Sequence, residues 1–374
     1  MHRSSARPYR GMAAALAAAA SLWFAPAWAQ SLADTANRGV VELETGRADG
    51  ISARIAADIA ELIDDGSTRR VVPVIGKGSQ QNIIDLKALR GIDMSLIQAD
   101  VLENARTQKL VPGVETLTYI AKLYNEEFHL LARKDIKGIE DLAGQKVDFD
   151  QGGAEVTAGK IFGLLNIKVV PSNDAASVAV LKLVKGDIAA IAYVGAKPAP
   201  LFRDIQGADG LHFLSVPLKS VMTAGYAPTR LTAQDYPGLV PSDGAVDTVA
   251  VGTLLLAANL QPGTDRARNL ANFVDVFFTR FPTLLEPGHH PKWREVNLAA
   301  DVPGMRRFPP AEQWLTRNTP VAATKQATPA DMKSVFERFL EERLRLSGAQ
   351  GMSQDQKDSL FSQFQRWQAG QQVR

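Results

Sequence analysis

The chain has 374 residues, of which 45% are hydrophobic and 22% charged, enough apolar material for two ordinary domains and too much for a disordered or fibrous chain. Lys and Arg number 42 against 40 Asp and Glu, a balance without the electrostatic footprint of a nucleic-acid binder. The absence of cysteine excludes disulfides, thiolate metal sites and cysteine nucleophiles.

Residues 1–29 read as a secretory signal. Arg3, Arg7 and Arg10 precede an apolar run over residues 12–25, and Ala27-Trp28-Ala29 forms a small-x-small cleavage site. The run is shorter than the roughly 20 residues that span hydrocarbon, so cleavage after Ala29 and export to the periplasm are expected. Without the leader's three arginines the mature chain is close to neutral, and no lipobox cysteine offers a lipid tether.

After the leader, strand, Gly-bearing turn and helix follow one another. Residues 40–44 predict a strand, residues 46–50 a turn, and Ile51, Ile55, Ile59, Leu62 and Ile63 recur at helical spacing. The same order returns at residues 71–75, the turn Gly76-Lys77-Gly78-Ser79 and a helix from about Gln80. It returns again at residues 94–97 and a helix around Val101. Such succession predicts a parallel sheet with crossover helices.

A second α/β block is expected after Phe128-His129-Leu130-Leu131-Ala132. It holds a strand at residues 147–149, a helix at about 155–165, a strand at Val169-Val170, a helix at about 175–185 and a strand at residues 188–194. A long apolar segment at residues 246–256 then precedes Leu270, Phe273, Val274, Phe277, Phe278 and Phe281, an amphipathic helical stripe. This predicts a return to the first block, with lobe one at residues 34–133 and 244–315 and lobe two at 134–243. Two crossings between lobes make a cleft, a preferred place for small ligands.

Residues 316–374 are expected to be a linker, through about residue 327, and a helical extension. Thr328-Pro329-Ala330-Asp331 resembles a helix start, and Met332, Val335, Phe336, Phe339, Leu340 and Leu344 share one face. A second helix follows Ser353, with Leu360, Phe361, Phe364 and Trp367. A hairpin packed on the body and a partner-docking arm both fit that pattern.

The candidate ligand residues sit where strands pass into helices, because the first N–H groups of a helix lack intrahelical partners and accept anions. They are Gly46 and Arg47 in the first turn, Lys77, Ser79 and Gln80 in the second, and Gln151, Gly152 and Gly153 in the third. Gln98 and Asp100 follow the third strand, Thr157 lies in the first turn of the next helix, and Tyr193 lies near the end of a strand. A cap for Ser79, a core position for Tyr193 and solvated charge for Arg47 and Lys77 are the competing structural roles. His289-His290 lacks helical metal-ligand spacing, so no metal is expected. The acid pairs Asp64-Asp65 and Glu126-Glu127 show no general-acid partner, Glu341-Glu342 is expected on the solvated helix face opposite the apolar stripe, and no GxSxG, HExxH or Walker pattern occurs. The expectation is a binding protein, not an enzyme, without a cofactor.

Six pieces follow one another in order: Gly76-Lys77-Gly78-Ser79-Gln80-Gln81-Asn82, Asp93-Met94-Ser95-Leu96-Ile97-Gln98-Ala99-Asp100, Leu123-Tyr124-Asn125-Glu126-Glu127-Phe128-His129, Asp141-Leu142-Ala143-Gly144-Gln145-Lys146-Val147, Glu155-Val156-Thr157-Ala158 and Gly186-Asp187-Ile188-Ala189-Ala190. In their order and spacing, from about Val40 to Leu315, the chain resembles the TAXI family of solute receptors of TRAP transporters. The resemblance implies an α/β, two-lobed periplasmic-binding-protein type II fold, here with a C-terminal helical extension. It also implies a small, often carboxylated solute such as an organic acid or amino acid, delivered to the membrane permease subunits of a TRAP transporter. Two departures stand out: Gly50-Ile51-Ser52-Ala53 lacks the aromatic residues usual near the first helix, and Asp150-Gln151-Gly152-Gly153-Ala154 replaces a Gly-Ser-Gly-Thr loop. The alternative is a divergent periplasmic ligand- or protein-binding module for sensing or envelope assembly.

Overall fold

A computed structural model describes residues 37–48, 50–150, 154–203, 205 and 210–318. The signal, the turn at Gln151, Gly152 and Gly153, and the helices expected beyond residue 318 lie outside the described residues.

The first three units follow the periodicity. Strand β1 (Val40–Thr45) leads to helix α1 (Ile51–Ile63), β2 (Arg70–Ile75) to α2 (Ser79–Ala88), and β3 (Met94–Gln98) to α3 (Ala99–Thr107). Helix α1 buries Ile55, Ile59, Leu62 and Ile63 on one face, the stripe its spacing demands. The turn into α2 must contain glycine. A Cβ on Gly76 would lie 2.5 Å from Thr45 O, and Gly78 sits at φ 120°. Buried Asn82 holds that turn: its Nδ2 donates to Thr45 O at 2.7 Å and to Ser95 Oγ at 3.2 Å, joining the ends of three elements.

Next come β4 (Thr118–Arg133), β5 (Lys146–Phe149), α4 (Ala154–Leu164), β6 (Val170–Ser172), α5 (Ala176–Lys185), β7 (Ala190–Gly195) and β8 (Leu211–Phe213). A short helix α6 (Leu218–Val221), β9 (Ala227–Thr232), β10 (Ala245–Ala257), α7 (Asp265–Arg280) and α8 (Pro309–Asn318) complete the described strands and α-helices. Thr316, Arg317 and Asn318 therefore end a helix and do not begin a linker.

The ten strands form one sheet in the order β2-β1-β3-β10-β4-β7-β5-β6, with β8 beside β4 and β9 beside β10. The expected parallel pairing holds for β1 with β2 and β3, and for β5 with β6 and β7. Between these groups the sheet is antiparallel, because β10 pairs β3, β4 and β9, and β4 pairs β7. Strand β4 has 16 residues, a reach of about 50 Å at the usual rise per residue. The segment Phe128-His129-Leu130-Leu131-Ala132, read as a block boundary, is the second half of this strand.

Two α/β lobes thus share one sheet through β4 and β10. Leu43, Ile55, Ile59, Phe273, Phe277 and Trp293 pack in one core, where α1 and α7 cover the sheet. Phe128, Leu130, Val147, Ile161 and Phe162 pack in another. Helix α7 begins at a Thr264 N-cap, whose side chain accepts from Ala267 N.

Candidate functional site

Parallel strands end where their following helices begin, and both lobes direct these ends toward one cleft. The cleft holds a small cavity of about 70 Å³ lined by Gly46, Arg47, Gly50 and Ser52 after β1, Gly78 and Ser79 after β2, and Leu96 and Gln98 in β3. Asp150, Ala154, Tyr193 and Val194 line it from the other lobe, and Tyr124, Glu126 and Thr253 from the long shared strands. The β4–β10 ladder shifts register between Gly252 and Leu254, opposite Tyr124. That irregularity brings Tyr124, Glu126 and Thr253 to one wall.

The floor of the cleft is polar. Glu126 Oε2 accepts from Gln98 Nε2 at 3.0 Å and from Thr253 Oγ1 at 3.1 Å. Burial pushes Glu126 up to about 7, with the Glu127 charge adding to the rise and the Gln98 and Thr253 bonds and Lys292 opposing it. Gln98 Oε1 is buried without a hydrogen-bond partner, and the buried Tyr124 hydroxyl makes no hydrogen bond of good geometry. Burial raises the Tyr124 phenol well above its ordinary range, keeping it neutral.

At the rim, Arg47 Nη1 meets Asp150 Oδ1 at 3.4 Å, a contact from one lobe to the other. Ser79 Oγ accepts from Gln98 N at 3.0 Å, which fixes the hydroxyl beside the end of β3. Gly46 N donates to Ser52 Oγ at 2.9 Å. The N-terminal positions of α1 and α2 are taken by Gly50 and Gly78, so no side chain caps either helix. Gly195 carries no Cβ because one would lie 2.6 Å from the Tyr193 ring, which turns back over it.

The structure therefore brings Gly46, Arg47, Ser79, Gln98 and Tyr193 to the cavity wall. Lys77 and Gln80 are exposed and do not line it. Asp100 and Thr157 meet away from it: Thr157 Oγ1 donates to Asp100 Oδ2 at 2.7 Å, and Tyr226 OH donates to the same oxygen at 2.8 Å. These bonds join α3 to α4 across the two lobes. Burial raises the Asp100 carboxyl above its ordinary value, against the Thr157 and Tyr226 bonds. Sequence reasoning missed Tyr124, Glu126, Thr253 and Asp150. An alternation in β4 that leaves Tyr124 and Glu126 on one face was the available signal, but it points into the cleft only once β4 and β10 are paired.

The acid pairs separate. Glu126 enters the cleft, whereas Glu127 accepts from buried Lys292 at 2.7 Å. Asp65 holds a turn through Ser67, Thr68 and Arg69, and Asp64 accepts from Val71 N at 2.7 Å. Glu341 and Glu342 lie outside the described residues. His289, unexpectedly, gathers with Asp58 and Glu61, their ligand atoms within 4.8 Å of one another. Arg54 Nε stands 3.0 Å from Asp58 Oδ1 and already supplies positive charge to this group.

Comparison with solved structures finds resemblance at low identity. The periplasmic binding protein BugD is 14% identical, with 74% of this chain and 93% of that chain covered and a TM-score of 0.46. A TctC solute-binding protein from Polaromonas is 15% identical, with 68% and 86% covered and a TM-score of 0.41. MatC from Rhodopseudomonas palustris, solved with bound malate, is 18% identical, with 66% and 88% covered and a TM-score of 0.40. No curated protein matches the sequence. The NMT1-like family pattern matches residues 45–265, more than half of the chain, and the protein belongs to the NMT1-like family.

Proposed function

We propose that the protein is a periplasmic solute receptor that captures a small polar solute between its lobes and delivers it to a TRAP-type permease. Lobe one comprises residues 34–133 and 244–315, and lobe two residues 134–243, with the second half of β4 and the first half of β10 packed into the core of lobe two. The observation that carries this reading is the convergence of two uncapped helix starts and a buried polar floor on one cleft at the ends of parallel strands. Such a floor costs free energy when its groups stay unpaired, and a bound solute supplies the missing partners. The uncapped starts of α1 and α2 favour a carboxylate through backbone N–H groups, and Arg47 does so through its guanidinium. Gln151, Gly152 and Gly153 belong to the same set by sequence.

A thermal-shift screen of organic acids and amino acids tests the reading. A ligand that binds the native state alone raises the melting temperature in proportion to the logarithm of its concentration. The receptor reading fails if saturating members of both classes leave the melting temperature unchanged.

A further inference from the structure

The floor of the cleft contains a carboxyl, Glu126, that no cation among the described residues contacts as an ion pair. Both hydrogen bonds to Glu126 reach Oε2, from Gln98 and Thr253, and among the described residues none reaches Oε1. The nearby cations are committed elsewhere. Lys292 Nζ contacts Glu127 and Glu295, each at 2.7 Å, and Arg47 faces Asp150. Beside Glu126, buried Gln98 Oε1 is a second acceptor without a donor. Two unanswered acceptors in one cavity call for a group that brings hydrogens and positive charge.

We propose that Glu126 determines specificity: with Gln98 Oε1 it receives a protonated primary amine, so the cleft selects amine-bearing solutes over solutes whose only charges are carboxylates. This rests on the receptor reading above and narrows its ligand class. A carboxylate elsewhere on the same solute remains compatible with the Arg47 side of the cavity. A solute with no donor would leave the Glu126 charge buried and unpaired, or force the carboxyl to keep its proton.

The groups facing Glu126 define the pH response. They are Glu127 on its own strand, Lys292 behind it, Tyr124 on the same wall, and Arg47, Asp150 and Tyr193 across the cavity. Without ligand Glu126 titrates at about 7, so it loses its proton between pH 6 and pH 8 while an aliphatic amine keeps its own. Amine preference therefore grows over that interval.

The test is calorimetry on the full mature chain with matched amine and hydroxyl probes: L-alanine and L-lactate, β-alanine and 3-hydroxypropionate, 4-aminobutyrate and 4-hydroxybutyrate. At pH 8 the amine member of at least one pair is expected to bind tenfold or more tightly than its partner. Glu126→Gln should reduce that ratio below threefold, with circular dichroism unchanged. Should that variant fail to fold, the wild-type ratio at pH 6 against pH 8 decides, and a rise of threefold or more supports the assignment. Equal binding within each pair, or a ratio that survives Glu126→Gln or stays flat with pH, overturns the assignment and leaves the receptor reading standing. Binding by no member of either series overturns both.

Discussion

Arg47 and Asp150 meet at 3.4 Å although 103 residues separate them, because each follows the end of a parallel strand in a different lobe. The pair closes the rim of the cleft with opposite charges, and the guanidinium is about 30% exposed. A partly exposed pair adds little to stability. A carboxylate arriving between the lobes would compete with Asp150 for the same guanidinium.

Arg47→Ala should weaken a carboxylate ligand by about 1.5–3 kcal/mol, the scale of a hydrogen bond to a charged group. Lys77→Ala should leave binding unchanged, since Lys77 is exposed and outside the cavity wall. Calorimetry with one ligand and both variants checks the contrast. Equal losses would place Lys77 in the binding surface after all.

Thr157→Val removes one of two donors to buried Asp100 Oδ2 and leaves the cavity wall intact. Stability in urea should fall by roughly 1.5–3 kcal/mol, while ligand affinity stays within twofold. A large affinity change at unchanged stability would mean that the tie between α3 and α4 sets the closure of the cleft.

Glu44 lies buried on β1, where burial, with Asp85 alongside, pushes its carboxyl up to about 8 from an ordinary 4.5. The folded state therefore holds this proton more tightly than the unfolded state. Its contribution to stability is full below about pH 4.5 and is lost as pH rises toward 8. Glu126, raised to about 7, acts in the same direction. Urea denaturation should show stability falling from pH 5 to pH 8, and Glu44→Gln should flatten that fall. A slope unchanged in the variant would remove Glu44 as its source.

Lys292 is about 6% exposed and faces Glu127, which is about 4% exposed. Replacing it by methionine should cost about 3–5 kcal/mol, because a buried carboxylate is left without its countercharge. Glu127→Gln added to Lys292→Met should recover much of the loss. Denaturation of the two single variants and the double variant gives the coupling directly.

The local order of strand, turn and helix was legible because it depends on short-range rules. Ile51, Ile55 and Ile59 repeat at the helical period, glycine stands at Gly76 and Gly78 where no Cβ fits, and Phe273 and Phe277 mark one face of α7. The turn residues Gly46, Arg47 and Ser79 followed, since the end of a parallel strand points them toward a crevice. Asp100 and Thr157 looked equivalent in sequence, yet they bond to each other across the lobes. Nothing local distinguishes a polar side chain that lines a cavity from one that meets another helix.

The amino-acid sequence by itself determined the alternation of elements, the apolar face of each helix and the turns that require glycine, all of which are set by contacts within a few residues. Tertiary structure decided that β4 and β10 run antiparallel through one continuous sheet, joining two cores that sequence order presents as separate blocks. It also decided that Glu126 enters the cleft while Glu127 meets Lys292. The physical reason is that successive side chains of a strand point to opposite faces, and which face meets water, core or solute depends on neighbours far away in sequence.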